Sequence, residues 1–363
     1  MVSLSDLPLR DDLRGAHPYG APQDRVRYAL NVNENTHPIP ESVARDIVES
    51  LAHAVIGVNR YPDREFLELR ESFARYLGHD LTAAHIWAAN GSNEIIQHVL
   101  QAFGGPGRRV LGFPPTYSMH PIIAAGTGTE WVAGDRDAGF ALSPETAVAA
   151  VERTDPDLVF LCAPNNPTGT PLPLATIEAV YAASRGLVFV DEAYAEFMPD
   201  DVPSALTLLP GRERLIVSRT MSKAFAFAGV RVGYLAADPA VTDALRLVRL
   251  PYHLSALTQA AALAALRHAP EMLAMVDDIR RQRDRMLAEL PALGYRAHES
   301  QANFVLFDGL DDPAATFRAL RERDILIRDV GLPGALRVTA GTEEETTYFL
   351  EQLAALGPRG ARP

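Results

Sequence analysis

Lys223 is the only lysine in a chain of 363 residues that holds 33 arginines. Arginine serves wherever a plain positive charge suffices, but a guanidinium cannot lose a proton and attack a carbonyl, as a lysine amine can. A single lysine is also what a coding bias toward arginine leaves behind by chance, so its surroundings decide. Four polar loops follow short apolar runs: Asn90-Gly91-Ser92-Asn93-Glu94 after Trp87–Ala89, Ala163–Gly169 after Leu158–Cys162, Asp191-Glu192-Ala193-Tyr194 after Leu187–Val190, and Ser218–Lys223 after Leu215–Val217. In open α/β sheets ligands sit beyond the carboxyl ends of strands, where such loops lie.

Each polar residue there has an ordinary reading and a chemical one. Asp191 alone is a helix cap or a solvated carboxylate; beside a pyridine ring it would keep the ring nitrogen protonated and the ring an electron sink. Ser92 and Asn93 read locally as a helix N-cap, yet a helix start with free amides also suits a phosphate. Ser222 and Arg231, one residue before the lysine and eight after it, would close on that same phosphate. Asn166 is a turn residue by default but can donate to a phenolate oxygen. Tyr117, after Pro114-Pro115, is a loop aromatic or a ring to stack on a flat cofactor.

The elements that must position these residues are legible in outline. Residues 1–33 are rich in Pro, Gly and charge, without periodicity, and read as an arm. Helical patterns follow at 41–53 and 63–77. From about 90 to 240 helices alternate with the runs Val110–Phe113, Leu158–Cys162, Leu187–Val190, Leu215–Val217 and Tyr234–Ala236, the pattern of a largely parallel sheet covered by helices. One long amphipathic helix is expected over 270–290. Strands at Asn303–Phe307, Ile325–Ile327 and Leu336–Val338, with helices near 313–322 and 342–356, make the last third a smaller α+β domain. The cluster Gly104–Gly107 reads as a turn.

A net charge of −12 argues against broad nucleic-acid binding and against docking on anionic membranes. One cysteine, Cys162, excludes an internal disulfide and fits a reducing cytoplasm; it is expected in the core. No apolar segment of signal or membrane-spanning length appears. None of the ten histidines forms a metal-ligand motif, so no metal is expected.

In this order along the chain, Asn90–Glu94, Pro115-Thr116-Tyr117, Asn165–Gly169, Asp191–Tyr194 and Ser222-Lys223-Ala224-Phe225 with Arg231 resemble the fold-type I pyridoxal-phosphate-dependent aminotransferases. Within them the chain is most similar to the histidinol-phosphate aminotransferase family, of actinobacterial type, on Arg219–Gly229, Leu250–Ser255, Ala302–Phe307 and Ile325–Gly331. The resemblance runs from Tyr19 to about Thr342. It implies an α/β fold: a large domain with a mostly parallel seven-stranded sheet, plus a smaller α+β domain. The implied division is an arm over 1–40 packing on the small domain and a partner subunit, a cofactor domain over 41–265 and a small domain over 266–363.

The resemblance also implies roles. Lys223 carries pyridoxal 5'-phosphate and later moves a proton at the substrate. Asp191 pairs with the ring nitrogen, Asn166 and Tyr194 bond the phenolic oxygen, and Tyr117 stacks on the ring. Ser92, Asn93, Ser222 and Arg231 hold the phosphate, with Tyr61 reaching over from a second subunit of a homodimer with shared active sites. Arg337 grips the substrate's anion, helped by Tyr19 and Arg328. The implied reaction moves an amino group between L-histidinol phosphate and 2-oxoglutarate in the cytoplasm, as a step of histidine biosynthesis. An aromatic amino-acid aminotransferase, and a decarboxylase of threonine-phosphate type, share the same fold and remain alternatives. The chain departs from the family at Thr36, where a proline commonly follows Asn33-Glu34-Asn35; that frees the backbone and leaves the arm's path open.

Overall fold

The computed structural model describes residues 3, 6–11, 14–15 and 20–357. Tyr19, expected beside the substrate, lies outside them.

The central feature is a sheet of seven strands. With the arm strand β1 (Tyr28–Ala29) counted first, they are β2 (Ile86–Ala89), β3 (Arg109–Gly112), β4 (Glu130–Ala133), β5 (Leu158–Cys162), β6 (Leu187–Asp191), β7 (Leu215–Thr220) and β8 (Gly233–Ala237). Their order is β2-β8-β7-β6-β5-β3-β4, parallel except around β8, which runs antiparallel to both neighbours. Every residue of β5 and β6 is buried, as expected of strands covered by helices on both faces. The expected runs are present, Leu158–Cys162 with its bounds unchanged and the others with bounds shifted by at most three residues. Strand β4 (Glu-Trp-Val-Ala) was not among them: it lies on the sheet edge, where none of its residues is buried.

Two helices differ from expectation. The pattern over 63–77 begins as a helix only at Leu67, because Asp63 turns back and accepts the amides of Glu65 and Leu67 while Phe66 takes a left-handed conformation. The single helix expected over 270–290 is two, Ala269–Leu273 and Val276–Ala292. Ala274 and Met275 between them keep right-handed backbone, so Met272, Val276, Ile279, Met286 and Leu290 still bury one continuous stripe.

Beyond them, β9 (Arg296–Ala297), β10 (Phe304–Asp308) and β12 (Ala335–Thr339) form an antiparallel sheet in the order β12-β10-β9. The arm is stitched to this part of the chain. Strand β1 pairs in parallel with β11 (Ile325–Leu326), and Thr339 donates its amide to the Leu30 carbonyl. Thr36, the departure from the family pattern, donates its hydroxyl to Glu345, the carboxylate that also accepts the Thr342 amide at a helix start. The freed position is thereby tied down. Among the described residues no helix is long and apolar enough to cross a membrane.

Candidate active site

The carboxyl ends of β5, β6 and β7 open into a cavity of about 690 Å³ whose wall includes Ser92, Asn93, Tyr117, Asn166, Asp191, Tyr194, Ser222, Lys223, Arg231, Arg328 and Arg337. Of the residues singled out from sequence, only Tyr61 stands elsewhere among those described. It is exposed and stacked on Tyr252, with ring centroids 4.4 Å apart.

Lys223 follows β7 and donates to the carbonyl of Val32 at 2.9 Å, so the arm closes over it. Burial, with the positive charges of Arg337 and Arg231 adding to it against Glu34, brings its pKa down to about 8. An appreciable share of the amine is therefore uncharged near neutral pH. Asp191 ends β6, 2% exposed, where Ser218 (3.5 Å) and the Ala193 amide (3.2 Å) donate to Oδ1. Its Oδ2 lies 3.1 Å from Nε2 of the fully buried His120, whose ring meets Tyr117 edge-on. Asp191 caps no helix; it is a buried carboxylate in the wall of the cavity.

Ser92 and Asn93 are not the N-cap that local reading suggests. Gly91 is the cap, at φ 86°, and the two are the first residues of the helix Ser92–Phe103. Their backbone amides, like all at a helix start, lack partners within the helix. Asn93 accepts from the Tyr117 hydroxyl at 3.1 Å. A Cβ on Gly91 would stand 2.4 Å from an Arg231 guanidinium nitrogen, and one on Gly233 would stand 2.4 Å from the Ser92 amide nitrogen. The two glycines let Arg231 and β8 press against the helix start, with Ser222 alongside.

Across the cavity, Arg337 on β12 is buried and donates to Asn166 Oδ1 (2.6 Å) and the Asn31 carbonyl (2.9 Å). Arg328 pairs with it backbone to backbone, bringing two guanidinium-bearing residues to one wall. Tyr194 is buried, and burial raises its pKa above the usual phenol value. It accepts from Asn33 and Asn166. Cys162 lines the cavity but is buried, and burial raises its thiol pKa so far that it stays protonated.

Three contributors escaped the sequence reading: His120, Asn33 and the Val32 carbonyl. His120 follows Tyr117 by three residues, one helical turn, the only local signal it had.

The family model for class I and II aminotransferases matches residues 28–353. The chain belongs to the class I and II aminotransferases. Relatives in that family include the histidinol-phosphate aminotransferases of Paenarthrobacter aurescens, 62% identical over 97% of this chain and 96% of that one, and of Thermobifida fusca, 58% identical over 97% and 96%. Among solved aminotransferases, the histidinol-phosphate enzyme of Sinorhizobium meliloti in complex with pyridoxal-5'-phosphate superposes with a TM-score of 0.85, at 25% identity over 97% of this chain and 98% of that one. The aspartate aminotransferase of Thermus thermophilus with maleate gives 0.79, at 25% identity over 91% of each chain. The fold is that of the fold-type I aminotransferases.

Proposed function

We propose that this chain moves an amino group between L-histidinol phosphate and 2-oxoglutarate, yielding imidazole acetol phosphate and L-glutamate, with pyridoxal phosphate held at Lys223. The observation that carries the reading is the convergence, on one cavity, of a single lysine of lowered pKa, a buried carboxylate and two arginines.

The residues fit the cofactor. A helix start from which two glycines exclude side-chain bulk, flanked by Arg231 and Ser222, suits a phosphate dianion. Asp191 suits a protonated pyridine nitrogen, and the Asn166 and Tyr194 pair suits a phenolic oxygen. Tyr117 offers its ring for stacking. When bound, pyridoxal phosphate supplies a ring that draws electrons from the substrate's Cα. Lys223, uncharged in part near neutral pH, would take the proton from that carbon and deliver it to the cofactor carbon that keeps the amino group. Asp191, held by His120 and Ser218, would meet the ring nitrogen. Arg337 orients the substrate anion; Arg328 adds the donors that a phosphate dianion can accept beyond a carboxylate.

The same reading makes the protein a homodimer of the cytoplasm, in which Tyr61 serves the partner's site. Ile56, Tyr61, Leu247 and Leu250 are each more than three-quarters exposed in the single chain, an apolar set that association would cover.

Turnover of histidinol phosphate, phenylalanine and threonine phosphate, each with 2-oxoglutarate, tests the substrate. Histidinol phosphate is expected to be preferred by kcat/KM. Preference for phenylalanine, or carbon dioxide release from threonine phosphate, would overturn the assignment. Sedimentation tests the dimer.

A further inference from the structure

A tyrosine hydroxyl has one proton to give and two lone pairs with which to accept. At Tyr194 two amide groups face it: Asn33 Nδ2 at 2.9 Å and Asn166 Nδ2 at 3.2 Å. Each asparagine's orientation is set by a second partner. Asn166 Oδ1 accepts from Arg337 Nη1, and a guanidinium only donates. Asn33 Oδ1 accepts from the Thr339 hydroxyl at 3.3 Å, the same hydroxyl oxygen that accepts the Asn33 backbone amide at 3.0 Å. The nitrogen of each amide therefore faces Tyr194, and both lone pairs of its oxygen are occupied. Burial keeps the phenol protonated. Its proton has one open direction, the cavity that Tyr194 lines.

We propose that Asn33 is a positioning residue that makes the Tyr194 hydroxyl a donor aimed into the cavity, at the phenolic oxygen of the bound cofactor. This rests on the reading that pyridoxal phosphate occupies the cavity. Asn33 also has a left-handed backbone, φ 57°, which suits asparagine or glycine. That explains the residue class but not an amide directed at Tyr194 from 161 positions away.

The test is a pH titration of the visible absorption of the cofactor-loaded protein, in which neither variant at position 33 strains the left-handed backbone. A donor at the phenolic oxygen draws negative charge from the conjugated ring and lowers its proton affinity, so losing the donor moves the titration to higher pH. Asn33→Asp places a carboxylate oxygen where the amide stood, captures the Tyr194 proton and turns it from the cavity; the expected shift is about one pH unit upward. Asn33→Gly leaves the hydroxyl free to go on donating, and a shift below about 0.3 unit is expected. Because the new carboxylate also acts through space, both variants are repeated in a Tyr194→Phe background, where the difference between them should fall to less than half. Equal shifts for Asp and Gly, or a difference undiminished in that background, would overturn the proposal while leaving the cofactor reading intact. Absence of a visible band in the unaltered protein would overturn both. Should Asn33→Asp fail to fold, Thr339→Val, which frees the Asn33 amide to rotate, is expected to move the titration upward by about half as much; no movement would overturn the proposal.

Discussion

The two ends of the seven-stranded sheet use arginine in opposite ways. At the amino ends of the strands, Arg108, Arg185 and Arg214 line a hollow of about 300 Å³ with Asp157, which to a count of cations resembles an anion site. Their donors are spent on the protein's own termini. Arg108 donates to the Phe103 carbonyl at one helix end, and Arg214 to the carbonyls of Ser184 and Gly186 just past another. Arg185 pairs with Asp155. Helices run back toward this end, so the carbonyls and partial negative charge of their last turns collect here, and arginine answers both. At the carboxyl ends the helix start at Ser92 presents amides, and Arg231 and Arg337 face a cavity more than twice as large. Arg231 and Arg337 also bond the protein's own groups. What separates the two ends is the cavity and the helix terminus that the guanidinium meets, amides at one and carbonyls at the other.

The largest effect expected on this contrast is at Lys223. Lys223→Arg keeps the charge and should abolish transamination, and borohydride should fix no cofactor to that variant; fixation on any residue would break the assignment. In the unaltered protein stripped of cofactor, reloading should accelerate with pH. A pKa near 8 means that the uncharged amine increases about tenfold per unit below that value and levels off above it. A flat rate between about pH 6 and 8 would contradict the lowered pKa. Next comes Asp191→Asn, which should retain cofactor yet lose on the order of 3–4 kcal/mol of transition-state stabilisation, roughly a hundredfold or more in rate. A variant within about threefold of the original would reduce Asp191 to a structural carboxylate.

Arg328→Ala sharpens the cavity side of the comparison. It should weaken histidinol phosphate about tenfold to a hundredfold in kcat/KM, the worth of a charge-assisted bond, and weaken glutamate far less; Arg337→Ala should damage both. Equal losses for the two substrates in Arg328→Ala would move phosphate recognition elsewhere. The smallest catalytic effect belongs to the other end. Arg214→Ala should lower stability by about 1.5–3 kcal/mol in urea and leave kcat/KM within about twofold. A rate loss there comparable with that of Arg328→Ala would erase the distinction between the two ends.

Much of this architecture could be read in the chain beforehand, and the exceptions share a cause. Strands β5 and β6 declare themselves because burial on both faces leaves unbroken apolar runs. Strand β4 does not, since at the sheet edge none of its residues is buried and its apolar run covers only Trp131 to Ala133. Lys223 and Asp191 stood out because each is a residue type suited to the proposed chemistry in a polar loop after an apolar run. The local alternative for Ser92, a helix cap, fails because Gly91 takes that place through backbone freedom rather than a side chain. His120 and Asn33 were passed over because each bonds a residue distant in sequence, 71 positions away for His120 and 161 for Asn33. Type and spacing reveal groups that do chemistry themselves, and conceal groups that aim them.

The parallel pairing of Tyr28–Ala29 with Ile325–Leu326 has a consequence for how the protein is made. Residues 31–33, which meet Arg337, Lys223 and Tyr194, hang from that pairing and from Thr339. A ribosome releases the beginning of the chain long before residue 325 exists, so the first wall of the cavity waits for the last third of the polypeptide. Lys223 is synthesised and its strand can join the sheet while the site still lacks a roof. Competence arrives late, when the two extremities of the chain meet across a loop of about 300 residues whose closure carries its own entropic cost.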